Sequence, residues 1–142
     1  MDEALKNEKL LGIDYGETNI GLAFGTAGLT MSLTPISGRN DDTAISEITR
    51  LAMENKVAKV IIGLPVFPDG KLTPQALKVK TFVRRLKIRL KTPIVFVDES
   101  TSTMEALGKA IDFGISKKRR SKLDSLSAEV ILRRYYDDRI KL

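Results

Sequence analysis

The stretch Leu10-Leu11-Gly12-Ile13-Asp14-Tyr15-Gly16-Glu17-Thr18-Asn19-Ile20-Gly21-Leu22-Ala23-Phe24-Gly25 decides how the rest of the chain is read. Two short apolar runs, Leu10 to Ile13 and Ile20 to Phe24, flank a core of Asp, Gly, Glu, Thr and Asn, and such runs bounded by turn-formers predict strands. Thr18, Asn19 and the glycines suit a tight reversal, so the two strands form a hairpin. Asp14 then stands where the first strand ends, its carboxylate at the open end of a sheet. A metal or a phosphate could be met there, although Asp before Gly also serves many turns by bonding nearby amides.

Downstream, Leu29 to Ile36 alternates apolar and hydroxyl residues and predicts a third antiparallel strand, with Ala27-Gly28 as the turn and Pro35 near its end. Asn40-Asp41-Asp42 caps a helix whose stripe is Ile45, Ile48, Leu51 and Ala52. Val57 to Gly63 predicts a buried strand and Leu64 to Gly70 a loop; Thr73-Pro74 then opens a second helix. That helix buries Leu77, Phe82, Val83 and Leu86 and carries Lys78, Lys80, Arg84, Arg85, Lys87 and Arg89, with Lys91 just beyond. Pro93 to Val97 predicts another buried strand running into Asp98-Glu99-Ser100-Thr101. Ser102 and Glu105 form a capping box for a helix closed by Gly114, and a last helix starts near Ser121. Three strands in hairpin order followed by alternating helix and strand predict an α/β fold: a mixed five-stranded sheet with helices on both faces. The 142 residues suit one domain, with residues 1–8 a flexible leader.

Composition narrows the chemistry. The chain has no Cys and no His, which removes disulfides, zinc–thiolate and zinc–imidazole sites and every triad that needs a histidine. No apolar run approaches the ~20 residues of a membrane span, and no signal-peptide pattern opens the chain, so the expected location is cytoplasmic. Residues 1–56 carry nine acids and five bases, net −4, whereas residues 57–142 carry nineteen bases and nine acids, net +10. Five of those bases, Lys117, Lys118, Arg119, Arg120 and Lys122, crowd a segment read as a loop, where like charges repel unless a polyanion relieves them. They are the expected phosphate-binding residues for a nucleic acid.

Three acids fall at the ends of elements: Asp14 after the first strand, Glu99 after the last, and Asp124 in the first turn of the last helix. If the first strand parallels the later two, Asp14 and Glu99 emerge on one edge, and a helix packed over it could bring in Asp124. Clustered carboxylates raise one another's pKa unless a cation neutralises them. Mg²⁺ or Mn²⁺, two ions at such a site, would support phosphodiester hydrolysis without histidine. Singly, each acid has a plainer use: Glu99 at the positive end of a helix, Asp124 in a Ser-x-x-Asp cap with Ser121.

Ile13-Asp14-Tyr15-Gly16 with Ile20-Gly21-Leu22-Ala23, then Gly63-Leu64-Pro65 with Asp69-Gly70, then Val97-Asp98-Glu99 with Ser102-Thr103 and Ala106, then Asp124 with Ala128 and Ile131-Leu132, together resemble the YqgF/RuvX family of the ribonuclease H-like superfamily, relatives of Holliday junction resolvases. The resemblance covers nearly the whole chain. It implies a ribonuclease H-like fold and a nuclease maturing the 5′ end of the pre-16S ribosomal RNA, with junction resolution as an older assignment. It implies catalytic and metal-binding roles for Asp14, Glu99 and Asp124, and partners among structured RNA or branched DNA; a homodimer is compatible with it. Two positions depart from the family pattern: Ser100 replaces an arginine, and Ser127 replaces an alanine. A rival reading is a nucleic-acid-binding module with weak catalysis. The Asp14-Tyr15-Gly16-Glu17-Thr18 run also resembles the phosphate loop of actin-like ATPases and sugar kinases, which need two such domains around a cleft.

Overall fold

The computed structural model describes residues 1–100 and 117–140. In chain order these form α1 (Glu3–Asn7), β1 (Lys9–Asp14), β2 (Asn19–Thr26), β3 (Leu29–Ser32), β4 (Ile36–Ser37), α2 (Asp41–Glu54), β5 (Lys59–Val66), α3 (Pro74–Arg89), β6 (Ile94–Ser100) and α4 (Lys117–Ile140). β1 lies at the centre of a sheet ordered β3-β2-β1-β5-β6, with β4 added to the other end of β2. It pairs antiparallel with β2, Asp14 opposite Gly21, and parallel with β5, Ile13 opposite Ile62. β6 runs parallel to β5. The expected mixed sheet, antiparallel strands first and parallel strands after, is observed, with β4 making it six-stranded rather than five-stranded.

Side-chain alternation along the strands explains the layers. Leu11, Ile13, Ile20, Leu22, Val60, Ile62 and Leu64 point to one face, where α2 and α3 cover them with Ile45, Ile48, Phe82 and Leu86. Leu10, Ala23, Ile61 and Val97 point to the other, where Ala128, Ile131, Leu132 and Tyr136 of α4 and Leu5 of α1 cover them. Asp14 and Glu99 share the parity of Leu10 and Val97, so both belong to the α4 face.

The caps behave as their residue types dictate. The Asn40 side chain accepts the Thr43 N–H, the Thr73 hydroxyl accepts that of Ala76, and Pro74 occupies the first turn of α3. Ala27 (φ 53°) and Gly28 (φ 85°) make the β2–β3 turn with both central residues left-handed.

Several expectations are corrected. Residues 1–8 are not a frayed leader: Asp2 caps α1, and Leu5 is buried beneath it. The run from Leu29 to Ile36 is two strands, because Pro35 interrupts the ladder and β4 pairs separately with Asn19 and Ile20. Gly63-Leu64-Pro65 belongs to β5 rather than to a loop. β1 has ended alongside Pro65, whose carbonyl instead accepts the Thr73 hydroxyl at 2.8 Å, so its missing N–H costs no ladder bond. The helix expected over 102–114 lies outside the described residues. None of the described helices is long and apolar enough to cross a membrane.

The glycines of the opening stretch prove to be there for clearance. None of Gly12, Gly16, Gly21 and Gly25 has a positive φ. A methyl group at Gly12 would stand 2.6 Å from Leu132 Cγ and 2.9 Å from the Ala128 carbonyl, and one at Gly21 would run into the Asp124 carbonyl. The helix rests directly on bare backbone. Gly21→Ala is expected to destabilise the protein by about 1–3 kcal/mol, read as a lowered urea midpoint, because rigid backbone must move. Ala27→Asn should do the opposite, stabilising the protein by about 0.5–1 kcal/mol and raising the midpoint, since Asn tolerates the left-handed region better than Ala does.

Candidate active site

Asp14 reaches its position because β1 ends there, one residue past the buried Ile13. Glu99 is delivered by β6, which runs beyond the apolar Val97 and keeps Glu99 on the α4 face, 4% exposed. Asp124 arrives from the opposite layer: its backbone lies against Gly21, the residue paired with Asp14 across the hairpin. Three acids separated by as many as 110 residues thus converge on one edge. Gly63 of β5, between β1 and β6, lets Ile131 of α4 sit directly on the backbone beside Glu99 Cγ.

The electrostatics follow from this convergence. Burial, then the Asp124 charge, then the Glu99 charge push the Asp14 carboxyl up to about 7, and a hydrogen bond from Ser127 only partly offsets them. Glu99 is also raised, by burial, against the pull of Arg134. Arg134 Nε stands 3.1 Å from Glu99 Oε1, but its N–H is not directed at that oxygen, which has no hydrogen bond among the described residues.

The sequence alone does not single out Ser127 or Arg134 for the site, although Ser127 departs from the family pattern. Ser127 lies three residues after Asp124, one helical turn along, and that spacing could have placed it beside the acid. Its hydroxyl also approaches the Leu123 carbonyl at 3.2 Å. Nothing local marks Arg134, whose partner lies 35 residues away in sequence.

The expected basic loop is corrected. Residues 117–122 are the first turns of α4, and Asp124 therefore lies in its second turn and not in a cap with Ser121. Lys and Arg are good helix formers, and the Ser-x-x-Asp pattern was the sole signal for a later start. Lys117, Lys118, Arg119, Arg120 and Lys122 still precede Asp124 directly in the chain, now on a rigid element.

All the candidate ligands for a cation are carboxylate oxygens, the donors preferred by Mg²⁺ and Mn²⁺. The charge crowding on Asp14 is of the kind that a divalent ion relieves, so the donor chemistry fits. Among the described residues, however, no group of three acids is close enough to enclose a single ion. Asp124 and Glu99 bear on Asp14 in that order, and Glu99 is turned toward Arg134.

Raising the pKa of an acid above its unfolded value means that ionisation works against folding. The cost is absent below about pH 4, grows as pH rises from 3.8 to about 7, and is constant above that. Asp14→Asn is therefore expected to leave the melting temperature near that of the parent at pH 4 and to raise it progressively up to pH 7. The plateau should be of order 1–3 kcal/mol, a figure discounted for the partial exposure of Asp14. Calorimetry across pH 4–8 reads the difference.

Comparison with known proteins adds an independent result. The family model described as "RuvX: Holliday junction resolvase" matches residues 8–138. A protein of Roseiflexus sp. (strain RS-1) named "Putative pre-16S rRNA nuclease" is 34% identical over 132 residues, covering 91% of this chain and 94% of its own length. One of the same name from Neisseria meningitidis serogroup C (strain 053442) is 36% identical over 132 residues, covering 89% and 86%. Among solved structures, a Fowlpox virus resolvase in complex with Holliday junction DNA superposes with a TM-score of 0.54 at 14% identity, over 94% of this chain and 99% of that one. That likeness is one of fold, the ribonuclease H-like sheet with its covering helices.

Proposed function

Because the chain belongs to the RuvX family, it is a nuclease, a hydrolase acting on ester bonds, and we propose that it cuts structured nucleic acid with Asp14, Glu99 and Asp124 as its catalytic acids. The observation that carries this reading is the state of Asp14: half-buried at a strand end, facing two other carboxylates, and driven to about 7. Such a group is unfavourable to keep in a fold, and perturbed acids of this kind cluster where chemistry is done.

Asp14 and Asp124 would hold the divalent cation, with Glu99 as the third acid. When bound, Mg²⁺ or Mn²⁺, two ions at full occupancy, activates water and neutralises charge at the scissile phosphate. The protein's own residues do the remainder. Ser127 orients the Asp14 carboxylate; Gly21 lets α4 sit low enough for Asp124 to face Asp14; Arg134 balances the charge of Glu99. The basic run from Lys117 to Lys122 precedes Asp124 on the same helix and would take the substrate's phosphates.

The names of the relatives favour pre-16S rRNA as the substrate, the family description keeps a Holliday junction as the alternative, and cutting at the 5′ end of that RNA in the cytoplasm is the finer part of this reading. One observation favours a second reading, a nucleic-acid-binding protein with feeble catalysis: Glu99 is engaged by Arg134, and no three acids among the described residues enclose an ion.

Asp14→Asn is expected to lower Mg²⁺- or Mn²⁺-dependent cleavage of a pre-16S 5′-end transcript at least ~100-fold while leaving its affinity for that RNA within about twofold. In parallel, Mn²⁺ should raise the melting temperature of the parent protein at pH 8 but not that of Asp14→Asn. Cleavage that survives the substitution would overturn the assignment of Asp14. Binding by the parent with no cleavage in either metal would select the second reading.

A further inference from the structure

α3 contains Lys78, Lys80, Arg84, Arg85, Lys87 and Arg89 and not one acid. The structure divides these bases into two flanks. Lys78 pairs with Glu17; Arg85 forks between Asp41 Oδ2 at 2.8 Å and Asp42 Oδ1 at 2.6 Å; Arg89 donates to Ser46 at 2.8 Å. Each of those contacts points toward α2 or toward the β1–β2 turn. Lys80, Arg84 and Lys87 follow one another at four and three residues along the other flank, and none has an acidic partner among the described residues. Lys91 continues the row at four residues more, its Nζ 3.2 Å from the Ile88 carbonyl at the helix end.

Like charges at these spacings repel and weaken a helix. A solvated helix would be expected to mix signs, as α2 does by setting Arg50 between Glu47 and Glu54. On α3 the neutralised flank is the one that packs, and the uncompensated one faces away from it. Successive bases rise about 4.5–6 Å apart along the axis, so the row can follow a run of neighbouring phosphates.

From this ridge we infer that Lys80, Arg84 and Lys87 form a second nucleic-acid contact, gripping the sugar–phosphate backbone at a distance from the acids. α3 covers the face of the sheet opposite α4, so the ridge and the acidic edge lie on different layers. The two are linked at one end: Gln75 Nε2, in the first turn of α3, is 3.5 Å from the Tyr15 carbonyl, next to Asp14. A ligand that engages both must turn around the sheet or carry a second arm. A folded or branched nucleic acid does so, and a short single strand does not. The inference rests on the nuclease reading above and deepens it by selecting substrates with a remote arm.

The test uses the full chain with Asp14→Asn to suppress cleavage. Binding is measured to a four-way DNA junction, to an RNA hairpin with a long flanking stem, and to the same hairpin shortened. Lys80→Gln/Arg84→Gln/Lys87→Gln is compared with a charge-matched control, Lys6→Gln/Arg50→Gln/Lys56→Gln, both checked for folding by circular dichroism. The ridge variant should bind the junction and the long hairpin about 10-fold or more weaker at 100 mM salt. Its log K against log salt should flatten by about 2–3, and the short hairpin should be bound almost as before. Equal losses in ridge and control variants, or no loss in either, would overturn the inference. So would unchanged nucleic-acid affinity together with lost retention on a polyglutamate matrix, which would assign the ridge to an acidic protein. If the Asp14→Asn parent binds none of the three ligands, the nuclease reading itself fails, a result distinguishable from failure of the ridge alone.

Discussion

The close seating of α4 on side-chain-free backbone is the contact on which the rest of the structure depends. Gly12, Gly21 and Gly63 form a floor so shallow that Leu132, Ile131 and the Asp124 carbonyl rest almost directly on the strands. Methyl groups at those positions would lift the helix by a sizeable fraction of its normal packing distance. The apolar seal made by Ala128, Ile131, Leu132 and Tyr136 would then open, and Asp124 would withdraw from Asp14. Packing and chemistry are therefore one constraint here: the same ångström-scale economy of backbone that closes the core also brings two negative groups face to face.

That proximity has an energetic sign. A fold selected for stability alone would separate Asp14, Glu99 and Asp124 or give each a base. Instead, Arg134 stands at Glu99, and Asp14 carries the unfavourable balance. The surrounding apolar layers, sealed on both faces of the sheet, are what tolerate it. On the far layer the pattern is inverted. There the packed flank of α3 is meticulously neutralised, and the excess positive charge is left on the outside.

Features with local causes were legible in the amino-acid order. Asn40 and Thr73 cap because their side chains reach amides two or three residues on, and the apolar runs around Asp14 form strands whatever else the chain does. The strand parity that puts Asp14 and Glu99 on one face also follows from the order alone once the register is known. Features with remote causes were not. A glycine needed for dihedral freedom and one needed as clearance beneath a helix look identical, so nothing in the order marks Gly12 and Gly21 as the bed of α4. Pro65 suggests a loop until the early end of β1 removes the ladder it would have broken. The capping pattern at Ser121 points to a later start for α4 than the chain uses, because the lysines and arginines before it are themselves good helix formers. Arg134 beside Glu99 is a pairing that only the folded chain creates.

The order in which the ribosome emits these pieces matters for a protein whose product is a cut phosphodiester. Two of the three acids leave the exit tunnel embedded in strands, whereas the third follows on α4, the last described helix. A chain interrupted before α4 would leave Leu10, Ala23, Ile61 and Val97 uncovered, so the second face of the sheet is sealed only once that helix has emerged.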